Sequence, residues 1–269
     1  MSEIGRFFLL LLAVAGICAP AFANPYTSAV LADNPDAYWR LDETNGTIAT
    51  DSSGNGRHGA YVNTPTLGQV GALADIANKS VSFSAASSEF VNILHTFGGV
   101  SWTEVTVEAW IKTIGPTGGF QAIVSAIVGD FVHLQAFNGG NSVVYADNSG
   151  YTTAYLPIVS DAAGLGWRHV AMTAKSGEQR LYIDGTLVGS DTASFLSILP
   201  TTQIGIGAGY AGGRFFNGSI DEVAVYRSAL TGSRINAHFS AASTIPEPAT
   251  FAILAVGIAC MGMARRRRG

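Results

Sequence analysis

Residues 167–190 carry the clearest alternation of apolar and polar positions in the chain. Val170, Met172 and Ala174 alternate with His169, Ala171 and Thr173, and Leu181 and Ile183 alternate with Tyr182 and Asp184. A period of two marks strands with one buried face. Lys175-Ser176-Gly177-Glu178 supplies a polar turn with a glycine able to take positive φ, and Asp184-Gly185 is a type I′ turn signal. The same reading predicts a short opening strand over 26–30 and a better one over 36–43, with Tyr38, Arg40 and Asp42 opposite Ala37, Trp39 and Leu41. Further strand runs fall at 79–83, 89–93, 105–113, 121–126, 131–137, 142–146, 202–207 and 219–226, joined by segments rich in Gly, Asn, Ser and Pro. Only 231–241 reads as a helix, with Thr231 as cap and Ile235 and Phe239 four apart on one face. About a dozen short strands with scarcely any helix predict an all-β fold, a two-sheet antiparallel sandwich or jelly roll, as one domain over 24–242.

The two ends have a different pattern. An unbroken apolar run over 7–17 follows Arg6, and Ala21-Phe22-Ala23 supplies a small-x-small cleavage pattern, which predicts an N-terminal signal helix over 1–23 that signal peptidase removes. At the other end, over 243–269, Pro246-Glu247-Pro248 leads into an apolar stretch over 251–264 closed by Arg265, Arg266, Arg267 and Arg268. A helix over 249–264 would be roughly 24 Å long, short of the ~30 Å hydrocarbon core, with its arginines held on the cytoplasmic side. This order of motif, short transmembrane helix and arginine cluster resembles the bacterial PEP-CTERM sorting signal. The resemblance implies transient anchoring in the inner membrane of a Gram-negative bacterium, cleavage by an exosortase near Pro-Glu-Pro, and delivery to the cell surface or extracellular matrix. A permanent tail anchor is the alternative.

Setting the ends aside changes the charge. Of 15 Lys and Arg and 19 Asp and Glu, the stretch 24–245 keeps ten and seventeen, a formal charge of −7. An acidic body does not favour phosphate backbones, so nucleic acid is excluded as a partner. Both cysteines, Cys18 and Cys260, lie in the ends, so the exported part has no disulfide.

Tyr38-Trp39-Arg40-Leu41-Asp42-Glu43, Asp51-Ser52-Ser53-Gly54-Asn55-Gly56, Val105-Thr106-Val107-Glu108-Ala109-Trp110, the 167–185 hairpin and Ser219-Ile220-Asp221-Glu222-Val223 occur in an order that resembles laminin-G-like, concanavalin A-like jelly rolls. That resemblance spans about 37–239 and implies two curved sheets and, commonly, a calcium ion with carbohydrate or protein binding at the loop rim. It also implies catalytic relatives, so function has to be argued from the site.

A glycoside hydrolase needs two carboxylates about 5–9.5 Å apart. The nearest stretches, 104–108 and 219–222, lack the Glu-x-Asp-x-Glu arrangement of laminarinase-like relatives. There is no Gly-x-Ser-x-Gly elbow, and the five histidines show no metal-binding spacing. His169 reads as a sheet-face residue, Trp39, Trp110 and Trp167 as structural, and Gly207-Ala208-Gly209-Tyr210-Ala211-Gly212 as a flexible hairpin loop rather than a dinucleotide site, since no helix follows. Calcium takes six to eight oxygens. Asp51 and Asn55 offer them within one tight loop, and by resemblance Asp221 with Asp42 or Glu43 supplies more. The alternative is that Asp51 and Asn55 only make Asx turns and Asp221 holds a backbone amide. For sugar binding, exposed rings beside amides are wanted, and the loops over 147–155 and 209–216 offer Asn148, Tyr151, Tyr155, Tyr210 and Arg214.

The expectation is therefore a surface-sorted, non-catalytic module that binds extracellular polysaccharide or another matrix component, with a structural calcium. An adhesive matrix protein with protein partners is the second possibility, and a hydrolase acting through Glu108 or Asp221 the third.

Overall fold

A computed structural model describes residues 24–75, 77–94, 97–114, 119–128, 133–137, 142–147, 150–154, 166–192, 203–209 and 212–243. The signal and sorting segments, with Pro246, Glu247, Pro248 and Arg265 to Arg268, lie outside the described residues, as do Asn148, Tyr155 and Tyr210. No described helix is long and apolar enough to cross a membrane.

In chain order the elements are α1 (Pro25–Ala32), β1 (Ala37–Trp39), β2 (Ile48–Ala49), β3 (Gly59–Val62), β4 (Thr66–Val70), β5 (Lys79–Phe83), β6 (Phe90–Ile93), β7 (Glu104–Thr113), β8 (Phe120–Val128), β9 (His133–Phe137), β10 (Ser142–Asp147), β11 (Gly150–Ala154), β12 (Arg168–Lys175), β13 (Glu178–Ile183), β14 (Thr186–Asp191), β15 (Gln203–Ile206), β16 (Gly218–Tyr226) and α2 (Gly232–Ala242). The first sheet runs β14-β13-β12-β7-β16-β5-β4, with β1 also paired to β16, and the second runs β11-β10-β9-β8-β15-β6-β3-β2. The pairings between strands distant in sequence, among them β7 with β16, β5 with β16, β8 with β15 and β6 with β15, are antiparallel, which gives the expected jelly-roll sandwich.

Alternation fills the space between the sheets. Val107, Ala109 and Ile111 of β7, Val170 and Met172 of β12, and Val223 and Val225 of β16 meet Val91, Ile123, Leu134, Ile204 and Ile206 of the second sheet in one buried cluster. The 167–190 stretch forms β12, β13 and β14 as read. Asp184 and Gly185 both take positive φ, 49° and 71°, as a type I′ turn requires. A Cβ on Gly185 would come within 3.0 Å of Asn236 on α2, so this turn also has to be small where the helix crosses it. The unit Asn24–Ile245 contains all of these strands, both helices and every apolar cluster of the described residues, so it carries what it needs to fold without the two ends.

Two expectations are corrected. Residues 26–30 are not a strand but part of α1, because Asn24 caps the helix by accepting from the Tyr26 amide and Pro25 presets its first turn. Five residues of alternation were too few to tell Tyr26 and Val30 on a strand face from the same pair one helical turn apart. The 147–155 segment is not a rim loop throughout, since Gly150–Ala154 pairs along β10 as the edge strand β11.

Both helices lie on the outer side of the first sheet, with Tyr26, Val30 and Ala242 packed against Tyr38, Trp110 and Tyr226. Glu108, fully buried on β7, fixes them there. Its carboxylate accepts from Tyr226 at 2.5 Å, from His169 at 3.1 Å and from His238 of α2 at 3.0 Å, and His238 also reaches Asp33, just past α1, at 2.9 Å. Burial disfavours charge on His238, but the Glu108 hydrogen bond, the Glu108 charge and Asp33 outweigh it and raise the imidazole pKa. Burial likewise works against ionised Glu108, and the two histidines more than offset it, holding the carboxyl well below the usual range. A raised folded pKa contributes stability that is complete below about pH 6.5 and fades as pH rises through the folded value. Melts of the native Asn24–Ile245 unit and of His238→Gln are therefore expected to differ most near pH 6, by about 3 kcal/mol, and least near pH 9. A gap independent of pH would show that His238 is not charged in the fold.

Candidate functional site

The helices pack on the outer side of the first sheet, and the second sheet presents an outer side of its own. One line of cross-strand partners runs over all of its strands. Ile48 pairs with Ala60, Ala60 with Asn92, and Asn92 with Gly205. The line continues from Gly205 to Ser125, His133, Ala146 and Tyr151. Since strand neighbours point to opposite faces, Asn92 is turned away from the core that Val91 and Ile93 enter. Asn92, Gln203 and His133 are half-buried there, and Gln203 donates to the Asn92 amide oxygen at 3.0 Å. Ser125 and His133 share a short hydrogen bond.

The charge of this sheet is unusual. Among the residues of its eight strands the only Asp, Glu, Lys or Arg is Asp147, at the end of β10. The first sheet carries Lys79, Glu104, Glu108, Lys112, Asp221 and Glu222 on β5, β7 and β16 alone.

The segment after β15 folds back over this face. A Cβ on Gly205 would lie 2.3 Å from the Ala208 carbonyl oxygen, and one on Gly209 would lie 2.2 Å from Ser125 Oγ, so only glycine allows the approach. Gly209 and Gly213 exchange backbone hydrogen bonds at 2.9 and 2.8 Å, Gly207 donates to Ile123, and Ala122 donates to Arg214 at 2.7 Å. The segment expected to be a flexible hairpin is thus pinned on both sides of residues 210–211. Arg214 is delivered onto the face. Its guanidinium sits 4.7 Å over the Phe120 ring and donates to the Gln135 side-chain oxygen at 2.9 Å. The Gln135 nitrogen is buried and has no hydrogen-bond partner among the described residues.

The residues considered for calcium are not gathered into one centre. Asp51 accepts from the amides of Tyr38, Ser53 and Arg57 and from the Ser53 hydroxyl, which uses its lone pairs and lowers its pKa despite burial. Asn55 donates to the carbonyls of Pro35 and Asp36, and Glu43 accepts from the Thr50 amide and the Tyr61 hydroxyl. Asp221 accepts from the Ala72 amide at 2.8 Å, while Asp42 accepts from the Lys79 amide and pairs with Arg40. Asp51 thus makes an Asx turn with the Ser53 amide and Asp221 holds a backbone amide, while Asn55 makes no Asx turn but bridges to the carbonyls of Pro35 and Asp36. Among the described residues no three His, Cys, Asp or Glu side chains are placed to hold a metal ion, so the donor set does not fit one calcium centre. The second oxygen of Asp221 is buried without a partner.

Residues 85–236, more than half of the chain, match the family model of the concanavalin A-like lectin/glucanases superfamily. The chain belongs to that superfamily. Residues 244–268 match the PEP-CTERM protein-sorting motif, which marks an exported, cell-surface protein of Gram-negative bacteria. A comparison with curated proteins finds no match. Among solved structures, domain 4 of AbnA, an extracellular arabinanase from Geobacillus stearothermophilus in complex with arabinotriose, aligns with a TM-score of 0.56 at 22% identity, covering 78% of this chain and 98% of that one. The binding domain of botulinum neurotoxin DC in complex with SialylT aligns with a TM-score of 0.58 at 14% identity over 79% of this chain, and the binding domain of Paraclostridial Mosquitocidal Protein 1 with 0.57 at 17% over 78%. The chain spans about half of each of those two domains, 52% in both cases.

Glu108, Asp221 and Glu222 are all fully buried. Glu222, on a bulge of β16 with φ 50°, is raised to about 8 chiefly by burial, with Asp42 and Glu108 adding to it. Asp221 is raised by burial and by Glu222 beside it. Both residues considered for hydrolysis, Glu108 and Asp221, are thus sealed from solvent in this structure. Chelation checks the metal account. Excess EDTA is expected to leave the melting temperature of the Asn24–Ile245 unit unchanged, and a fall of several degrees would place a cation at Asp42 and Asp221.

Proposed function

We propose that the chain is an exported, non-catalytic carbohydrate-binding module whose ligand lies across the outer face of the second sheet. The observation that carries this reading is the uncharged, amide-bearing line of Asn92, Gln203 and His133 on a half-exposed face, bordered by Phe120. Sugars present hydroxyls that both donate and accept, and side-chain amides answer both roles without the desolvation cost of a charge. Rings such as Phe120 offer an apolar plane to the C–H faces of a sugar. The solved arabinotriose complex of the AbnA domain and the SialylT complex of the toxin domain lend support from the same fold. Of the residues expected to bind ligand, Tyr151 lies on β11, paired with Ala146, and Arg214 contacts Gln135 of β9, which is compatible with this reading.

Export fits the same reading. A signal peptide over 1–23, removal by signal peptidase, transient anchoring through the tail in the inner membrane and exosortase cleavage near Pro246-Glu247-Pro248 would deliver the unit to extracellular polysaccharide.

Equilibrium binding of the Asn24–Ile245 unit to a panel of extracellular polysaccharides checks the reading. Asn92→Ala with Gln203→Ala is expected to weaken binding about tenfold or more, since each lost hydrogen bond is worth about 0.5–1.5 kcal/mol. Arg180→Ala, on the charged edge of the first sheet, is expected to leave it unchanged. Equal losses for the two variants would remove the second sheet from the binding site.

A further inference from the structure

We propose that the ligand is a neutral polysaccharide, and that Phe90 and Phe215 with the amides of Asn92 and Gln203 hold one of its sugar rings; this deepens the second-sheet reading above and rests on it. The amides are the first argument. Gln203 donates to the Asn92 side-chain oxygen at 3.0 Å, and both residues are half-buried. Two side-chain amides joined by one such bond keep one N–H group and one oxygen for a ligand, whichever of the two donates. Among the described residues neither of these groups has a further hydrogen-bond partner. Neighbouring hydroxyls of a sugar donate and accept in the same way, so one meets the N–H group and the other the oxygen. A carboxylate only accepts, and one of its oxygens would face the amide oxygen.

The rings are the second argument. Phe90 and Phe215 lie with centroids 6.1 Å apart at an angle of 48°. Both are half-buried, and neither belongs to an apolar cluster of the described residues. Phe90 stands two residues before Asn92 on β6, so both point away from the core that Val91 and Ile93 enter, about 7 Å apart along the strand. Phe216 enters the core and donates from its amide to Gly207 at 2.9 Å, while its neighbour Phe215 stays on the outer face beside Phe90. Val62 and Ala60 are the partners of Phe90 and Asn92 on β3, and Ile48 beside Ala60 is 55% exposed. Apolar surface left open next to polar groups marks a binding surface, and the C–H face of a sugar ring suits it.

Charge is the third. β3, β6 and β15 hold no Asp, Glu, Lys or Arg. The charged neighbours of the two rings are engaged elsewhere: Glu89 accepts from the Ser84 amide at 2.7 Å, and Arg214 lies over Phe120 of β8 and donates to Gln135 of β9. A carboxylate or sulfate brought to this place would lose water without gaining a countercharge. The formal charge of −7 on the stretch 24–245 adds repulsion of a polyanion at long range.

Titration of the Asn24–Ile245 unit with polygalacturonate, alginate and hyaluronate, each beside its carboxyl-reduced, neutral form, tests the proposal. At least one neutral form is expected to bind about tenfold or more tighter than its acidic counterpart, and to keep that preference at about 1 M salt, where long-range repulsion is screened. Phe90→Leu and Phe215→Leu are each expected to weaken binding of that neutral polymer about fivefold, since leucine keeps apolar bulk but offers no ring plane, and Phe215→Tyr to retain it. Melting curves separate a loss of folding from a loss of binding. Leucine variants that bind as the unsubstituted protein does, whether or not they melt lower, would reduce the two rings to pins for the loop and overturn the subsite. A preference that is absent, or that vanishes at high salt, would overturn the neutral assignment. In both cases the second-sheet reading stands as long as Asn92→Ala with Gln203→Ala weakens binding. Binding that this double variant does not weaken would overturn the second-sheet reading as well, and no binding to any neutral form would overturn the proposal outright.

Discussion

The buried carboxylate of Glu108 decides which side of the sandwich is closed. A two-sheet jelly roll has two outer faces, and both need polar side chains or a cover. On the first sheet Glu108 gathers Tyr226, His169 and His238, and through His238 it ties α2 to Asp33 behind α1. A carboxylate taken fully out of water is tolerable only with such a complete set of donors, and all three come from other elements, Tyr226 from β16, His169 from β12 and His238 from α2. The helices therefore do not lie loosely on the sheet. They are fixed by a charge that cannot be left unpaired.

What remains is the other outer face, and it is built differently. Its strands exclude charge almost entirely, its polar atoms are amides, a hydroxyl and an imidazole, and glycines at 205 and 209 let a loop cross it at backbone contact. The loop brings in Arg214, whose left-handed conformation its residue type disfavours. The division of labour is thus physical: charge is spent beneath and beside the helices where it fixes packing, and neutral hydrogen-bonding groups are spent where a hydroxylated ligand would lie.

Much of the architecture was legible in the sequence because alternation is a local signal. The 167–190 stretch, β5, β16 and the Thr231-capped helix required only neighbours a few residues away, and the positive φ of Gly185 followed from the Asp-Gly pair. The site was less legible. Asn92, Gln203 and His133 are polar members of ordinary alternations, and nothing local distinguishes them from solvated strand positions. They become a line only through pairings between strands more than 100 residues apart, as between Asn92 and Gly205. Tyr151, in a segment whose Gly and Asn composition reads as a loop, lies on the strand β11. The Asp51 loop shows the converse limit. Its oxygen-rich composition suits calcium, but the backbone amides that consume those oxygens are not visible in composition. Glu108 likewise reads as one strand residue among many until His238, 130 residues away, closes on it.

The central claim is that ligand lies on the second sheet and not on the helix-covered one. Amide chemical-shift mapping of the labelled Asn24–Ile245 unit during titration with a bound oligosaccharide tests it most directly. The account predicts shifts along Ala60, Asn92, Gly205, Ser125 and His133 with little change in α1 and α2. Shifts confined to the helices and to β12, β13 and β14 would contradict it.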